Sequence, residues 1–88
     1  MNIVVFSKAG CPFCSLLKME LGKRGYTYSE VDLTDEVIRK DFYARTGAST
    51  VPQVLLTAGD ASVDNLDGKF IGGYSEVSKD WSVLDSMG

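Results

Sequence analysis

The chain contains two cysteines and both fall in one Cys-x-x-Cys, Cys11-Pro12-Phe13-Cys14. Two thiols at this spacing can close to a disulfide and reopen, so the pattern suits dithiol–disulfide redox chemistry. Pro12 suits the first position of a helix, with Cys11 just before it. A cysteine there meets free backbone N–H groups and the positive end of the helix dipole, which favour its thiolate. Lys8, three residues earlier, adds positive charge to the same loop. Cys14 falls inside the first helical turn, less exposed and within reach of Cys11. Cys11 is therefore expected to attack a disulfide and Cys14 to resolve the intermediate.

Three plainer readings compete. A structural disulfide across so short a loop stabilises a fold by only about 2 kcal/mol. A zinc site takes four Cys or His ligands, and this chain offers two Cys and no His. Two inert core thiols are the third reading, with both placed by chance at a helix start. No resident metal is expected.

The elements that must position the pair follow from hydrophobic pattern. Ile3 to Phe6 is a continuous, largely β-branched run, as in a strand covered on both faces. Phe13, Leu16, Leu17 and Leu21 recur at helical spacing after it, and Gly22 and Gly25 bracket the helix end. Tyr26 to Leu33 alternates as a second strand. Thr34 is the expected N-cap of a second helix, with Asp35 and Glu36 in its first turn. Its core residues would be Val37, Ile38 and Phe42, and Gly47 would stop it. Gln53–Thr57 and Lys69–Ile71 read as two further strands. Ser75 would cap a last helix with Val77, Trp81 and Leu84 on one face.

The order β-α-β-α-β-β-α implies an α/β fold, a four-stranded mixed sheet flanked by three helices. Its first two strands are parallel through a right-handed crossover, and its last two antiparallel. The 88 residues bound one domain, 1–88. At 44% hydrophobic and 24% charged the composition is that of an ordinary soluble protein. A formal net charge of −3 argues against non-specific nucleic-acid binding. The apolar start is too short, and lacks the cationic flank, for a secretory signal, and no stretch approaches a membrane span. A cytoplasmic setting is expected, where disulfides are mostly transient and catalytic.

Cys11-Pro12-Phe13-Cys14, Thr50-Val51-Pro52 and Gly72-Gly73, in this order, resemble the glutaredoxin pattern within the thioredoxin-like fold. The resemblance spans nearly the whole chain, and short phage and bacterial members that serve ribonucleotide reductase are similar in length. It implies a glutathione-dependent oxidoreductase acting on disulfide-containing or glutathionylated proteins. Ribonucleotide reductase would be one target, and the host cytoplasm the setting of a phage-encoded member. Glutathione would be a co-substrate, with no permanently bound cofactor, and the protein would be a monomer. Pro52 would be a cis-proline facing the cysteines, beside Pro12 and Phe13, and Val51 would pair its backbone with the cysteine part of glutathione. Lys8 and Arg39 would hold the glycine carboxylate; Gly73, Ser75 and Glu76 would hold the γ-glutamyl end. On composition alone Lys8 and Arg39 read more readily as solvated charges and Ser75 as a plain N-cap, and Glu76 reads equally well as a complement to the helix dipole.

Two departures stand out. The family's usual tyrosine between the cysteines is Phe13. The segment from Ala58 to Gly68, with Asp60, Asp64 and Asp67, is long for a hairpin connection. It lacks the closing glutamate of a calcium loop and is expected to be a mobile acidic surface loop. Two rival functions remain. A [2Fe–2S] carrier usually reads Cys-Gly-Phe-Ser, which Pro12 and Cys14 do not match. A thioredoxin reduced by a flavoprotein usually reads Trp-Cys-Gly-Pro-Cys, whereas Gly10 precedes Cys11 here.

Overall fold

A computed structural model describes residues 1–86. The apolar run forms β1 (Asn2–Ser7), in which Ile3 through Ser7 are all buried. Successive side chains point to opposite faces of a strand, so the run feeds two cores. Ile3 and Val5 pack with Leu17, Leu21, Val54, Leu56, Val77 and Leu84. Val4 and Phe6 pack with Leu33, Phe42 and Leu55 on the other face. Phe6 and Phe42 stack with ring centroids 4.7 Å apart.

The remaining strands are β2 (Ser29–Asp32), β3 (Gln53–Thr57) and β4 (Lys69–Gly72), and the sheet order is β2-β1-β3-β4. Strand β2 runs parallel to β1, with Ser7 opposite Asp32. Strand β3 is antiparallel to β1, with Phe6 opposite Gln53, and β4 is antiparallel to β3. The α/β architecture, the mixed sheet and its strand directions are those expected. The second strand is shorter than its pattern: Tyr26 and Tyr28 pack against the first core without joining the ladder.

Helix α1 (Pro12–Lys23) buries Cys14, Leu17 and Leu21. Phe13 and Leu16, expected on this face, point outward and are 57% and 37% exposed. Helix α2 (Glu36–Thr46) is capped by Asp35, not Thr34: the Asp35 carboxylate accepts from the N–H groups of Val37 at 2.8 Å and Ile38 at 3.1 Å. The Thr34 hydroxyl instead accepts from the Ala9 N–H at 2.9 Å, tying α2 to the loop before Cys11. Replacing Asp35 with alanine should lower stability by about 1 kcal/mol. Denaturant unfolding would show this as a lower midpoint with an unchanged slope.

Val37 and Ile38, expected in the core, lie outside it at 77% and 43% exposed; only Phe42 of that set is buried. The segment 58–68 is also more built than expected. Ser62 and Asn65 exchange backbone hydrogen bonds of 3.0 and 3.1 Å, and the Asn65 amide donates to the Asp60 carbonyl at 3.2 Å. Ala61, Val63 and Leu66, interleaved with the aspartates, pack onto the second core.

The last helix is two helices, α3 (Tyr74–Lys79) and α4 (Ser82–Asp85). Asp80 is extended at the break, and its carboxylate accepts from the Ser82 N–H at 3.0 Å. Gly73, not Ser75, is the N-cap residue of α3. Val77 and Leu84 are buried as expected, and Trp81 packs against them beneath the Arg24 guanidinium, 4.1 Å from its ring. Among the described residues no helix is long and apolar enough to cross a membrane.

Candidate active site

The β1–α1 loop delivers Cys11 to the start of α1, with Gly10 at φ 74° turning the chain into it. Cys11 is the N-cap, in extended conformation, and its Sγ accepts from the Cys14 N–H at 3.3 Å. The cap position normally belongs to an oxygen-bearing side chain; here a sulfur takes it and meets an unpaired helix N–H. Both cysteines are free thiols. Cys11 retains 9% exposure and Cys14 only 1%, so an incoming disulfide meets Cys11 first.

Burial pushes the Cys14 thiol up to about 11, helped by its hydrogen bond to Cys11. The Lys8 backbone N–H and the Lys18 ammonium pull the other way. Cys14 is thus a protonated reserve thiol at neutral pH.

Opposite Cys11, the Val51–Pro52 peptide is cis, as the resemblance implied. The Val51 carbonyl lies 3.8 Å from the Cys11 sulfur, in line to accept from its S–H. The Gln53 amide closes this loop by donating to the Thr50 carbonyl at 3.1 Å. Gly73 lies against the same loop: a Cβ on it would sit 2.8 Å from the Pro52 carbonyl oxygen. Gly72 has φ 105°, a conformation that side-chain-bearing residues rarely adopt. A Cβ on Gly72 would also sit 2.7 Å from the Glu76 Cβ, so Gly72 is required for both conformation and space, and Gly73 for space alone.

Between these parts lies a cleft of about 240 Å³. Phe13 forms one wall; Thr50, Val51 and Pro52 form a second; Gly73, Tyr74, Ser75 and Glu76 form the third. The Phe13 and Tyr74 rings close one end, 5.6 Å apart. One Glu76 carboxylate oxygen accepts from the Gly73 N–H at 3.3 Å.

The cleft gathers Phe13, Val51, Pro52, Gly73, Ser75 and Glu76; Cys11 and Pro12 do not line it, and Cys11 meets its wall through the Val51 carbonyl. Lys8 and Arg39 do not line it. Lys8 is exposed in the β1–α1 loop. The Arg39 guanidinium donates to the carbonyls of Leu33 at 3.1 Å and Thr34 at 3.0 Å, bracing the β2–α2 connection. Thr50 and Tyr74 line the cleft although sequence reasoning gave them no role. Their signal was adjacency, since Thr50 precedes Val51-Pro52 and Tyr74 follows the glycine pair. Among the described residues no three His, Cys, Asp or Glu side chains group to hold a metal.

The sequence profile of glutaredoxins matches residues 3–59, a span holding both cysteines and the cis-proline. The chain belongs to the glutaredoxin family. That family comprises thiol–disulfide oxidoreductases of thioredoxin-like fold. The chain is 33% identical over 78 residues to hybrid peroxiredoxin hyPrx5 of Haemophilus influenzae, matching 89% of this chain but 28% of that longer protein. Glutaredoxin 1 from Francisella tularensis, solved with cacodylate, superposes with a TM-score of 0.78 over 97% of this chain and 96% of its own, at 22% identity. A buckwheat glutaredoxin–glutathione complex superposes with a TM-score of 0.68 at 30% identity, covering 97% of this chain and 70% of that one.

Proposed function

We propose that the protein is a glutathione-dependent dithiol–disulfide oxidoreductase with Cys11 as nucleophile and Cys14 as resolving thiol. The observation that carries this reading is Cys11 itself, a helix N-cap sulfur 3.8 Å from the Val51 carbonyl of the cis-proline loop that walls the cleft. The Cys11 thiolate attacks one sulfur of a target disulfide. A new S–S bond forms to Cys11, the old one breaks, and the displaced sulfur leaves as a thiolate. Cys14 or a second thiol then displaces the bound group, and glutathione reduces the Cys11–Cys14 disulfide. The two sulfurs carry the electron pair, so the step calls for no further redox group.

The cleft offers hydroxyl, carboxylate and backbone groups to a small peptide, and the buckwheat relative's glutathione complex supports glutathione as its occupant. The backbone of Val51, in the cleft wall, pairs with the cysteine part of the tripeptide, as an added strand would. Ser75 and the second carboxylate oxygen of Glu76 receive the γ-glutamyl end, its carboxylate and its ammonium respectively. Pro12 and Phe13 shape the approach to Cys11. Lys8 and Arg39 stand outside the cleft wall and serve the glycine carboxylate through their positive field on an otherwise acidic protein. Disulfide-bearing or glutathionylated proteins are the proposed targets, with ribonucleotide reductase a target class resting on the family resemblance.

The double variant Ser75→Ala/Glu76→Gln tests the orientation. Glutamine keeps the acceptor that caps Gly73, so the fold is spared. Loss of charge-assisted hydrogen bonds worth about 1.5–3 kcal/mol should raise the KM for glutathione roughly tenfold or more with little change in kcat. An unchanged KM would remove these two residues from the site.

A further inference from the structure

Cys14 must act as a thiolate to resolve a mixed disulfide, yet it is 1% exposed and buried thiols hold their protons. In the resting dithiol, Cys11 contributes to that: its hydrogen bond and its charge both hold the proton on Cys14. Once Cys11 is tied up in a mixed disulfide it has no charge, and both influences vanish. The Lys8 backbone N–H and the Lys18 ammonium, which favour the Cys14 thiolate, then face only burial.

Lys18 is built into place for this. It lies one helical turn beyond Cys14, at i+4 on the same face of α1, in the stripe that carries Leu17 and Leu21 into the core. Its Nζ is 2.8 Å from a Glu30 carboxylate oxygen on β2. That same oxygen accepts from the hydroxyl of Ser7, a buried residue at the end of β1. The Lys18 side chain, 31% exposed, is tethered to the sheet by this pair.

We propose that Lys18, held by Glu30 and Ser7, is a positioning residue for the second half-reaction, favouring the thiolate of Cys14 once Cys11 is in a mixed disulfide. The inference rests on the reading of Cys14 as resolving thiol. Cys14 releases its proton to solvent and its sulfur attacks Cys11 Sγ. The Cys11–Cys14 bond forms, the bond from Cys11 to the substrate sulfur breaks, and the electron pair departs with the substrate thiolate. The dithiol loses two electrons and the substrate disulfide gains them. The charged and titratable groups around Cys14 are Cys11 and Lys18 on α1, with Glu30, Tyr28 and Asp32 acting through Lys18 from the β2 side.

The test uses the reduced full chain and dithiobis(nitrobenzoate), an aromatic disulfide whose released thiolate is coloured. The first equivalent of colour reports attack by Cys11 and the second reports resolution by Cys14. Because this reagent is not glutathione, the two phases survive even if the glutathione reading fails, and loss of the second phase in Cys14→Ser checks the resolving role separately. Lys18→Met, which keeps the apolar stem, should leave the first phase within about twofold and slow the second about three- to tenfold near pH 7. Lys18→Arg should restore most of the second phase. Raising the pH should narrow the gap between Lys18→Met and wild type, as more Cys14 ionises without help. A second phase unchanged in Lys18→Met, both phases slowed alike, or no rescue by arginine would overturn the proposal.

Discussion

Cys11→Ser should abolish disulfide reduction, with a loss of at least about a thousandfold in kcat/KM. Serine is one of the best N-cap residues, so the hydroxyl would accept from the Cys14 N–H where the sulfur does at 3.3 Å. The helix would start as before, and unfolding should show near-native stability. What disappears is the nucleophile, because a hydroxyl does not ionise in the pH range where a thiol does. Cys14→Ser should behave differently. Its hydroxyl can still donate to the Cys11 sulfur, and Cys11 can still attack. Reduction of a glutathione mixed disulfide, which ends when glutathione displaces the adduct, should persist; reduction of protein disulfides that need internal resolution should fall. Steady-state assays on both substrate types, with mass spectrometry of the trapped Cys11 adduct, separate the two variants. Equal loss in both would contradict the division of labour between the thiols.

Gly73→Ala should have the next largest effect. Gly73 has φ −98° and ψ −160°, which any residue can adopt, so the requirement is for room alone. An added Cβ would meet the Pro52 carbonyl oxygen at 2.8 Å. That atom is backbone and cannot swing aside as a side chain would, so the loop or the start of α3 must move. Overpacking of this kind costs about 1–3 kcal/mol, and it falls where the two cleft walls meet. We expect a lower unfolding midpoint and roughly a tenfold fall in kcat/KM with glutathione, mostly through KM. Native stability and native KM in Gly73→Ala would show that the contact is not needed.

The glycine pair shows what a sequence does and does not disclose. Its position before a helix, in order after Cys-x-x-Cys and Thr-Val-Pro, pointed to this site. That Gly72 answers to its dihedral angle and to the Glu76 side chain, and Gly73 to the Pro52 carbonyl in the fold's other wall, was invisible, since Pro52 and Gly73 meet only through the β3–β4 pairing. Helix α2 misled for a related reason. Val37 and Ile38 looked like core because they are aliphatic, but the face turned inward carries Arg39, Phe42, Tyr43 and Thr46. Arg39 belongs there because its guanidinium caps two carbonyls, and Thr46 because its hydroxyl donates to the Phe42 carbonyl at 2.8 Å. Polar residues with backbone partners can occupy a core stripe, and hydropathy alone misses them. Lys18 was overlooked on α1 in the same way, since its partner Glu30 sits on β2. The strand β1, by contrast, was legible because the four consecutive apolar residues Ile3 to Phe6 leave no ambiguity of face. The segment 58–68 looked like a loop from its aspartates, whereas Ala61, Val63 and Leu66 between them decide its packing.

The central claim is that glutathione is the electron source for the Cys11–Cys14 pair. The most direct test supplies purified protein with a small glutathione mixed disulfide, glutathione, glutathione reductase and NADPH, and follows NADPH consumption. A parallel reaction replaces glutathione and its reductase with thioredoxin reductase. We predict turnover in the first reaction, saturable in glutathione and dependent on Cys11, and little in the second. Turnover with thioredoxin reductase and none with glutathione would contradict the account: the fold and the reactive pair would stand, and the roles given to Val51, Gly73, Ser75 and Glu76 would fall.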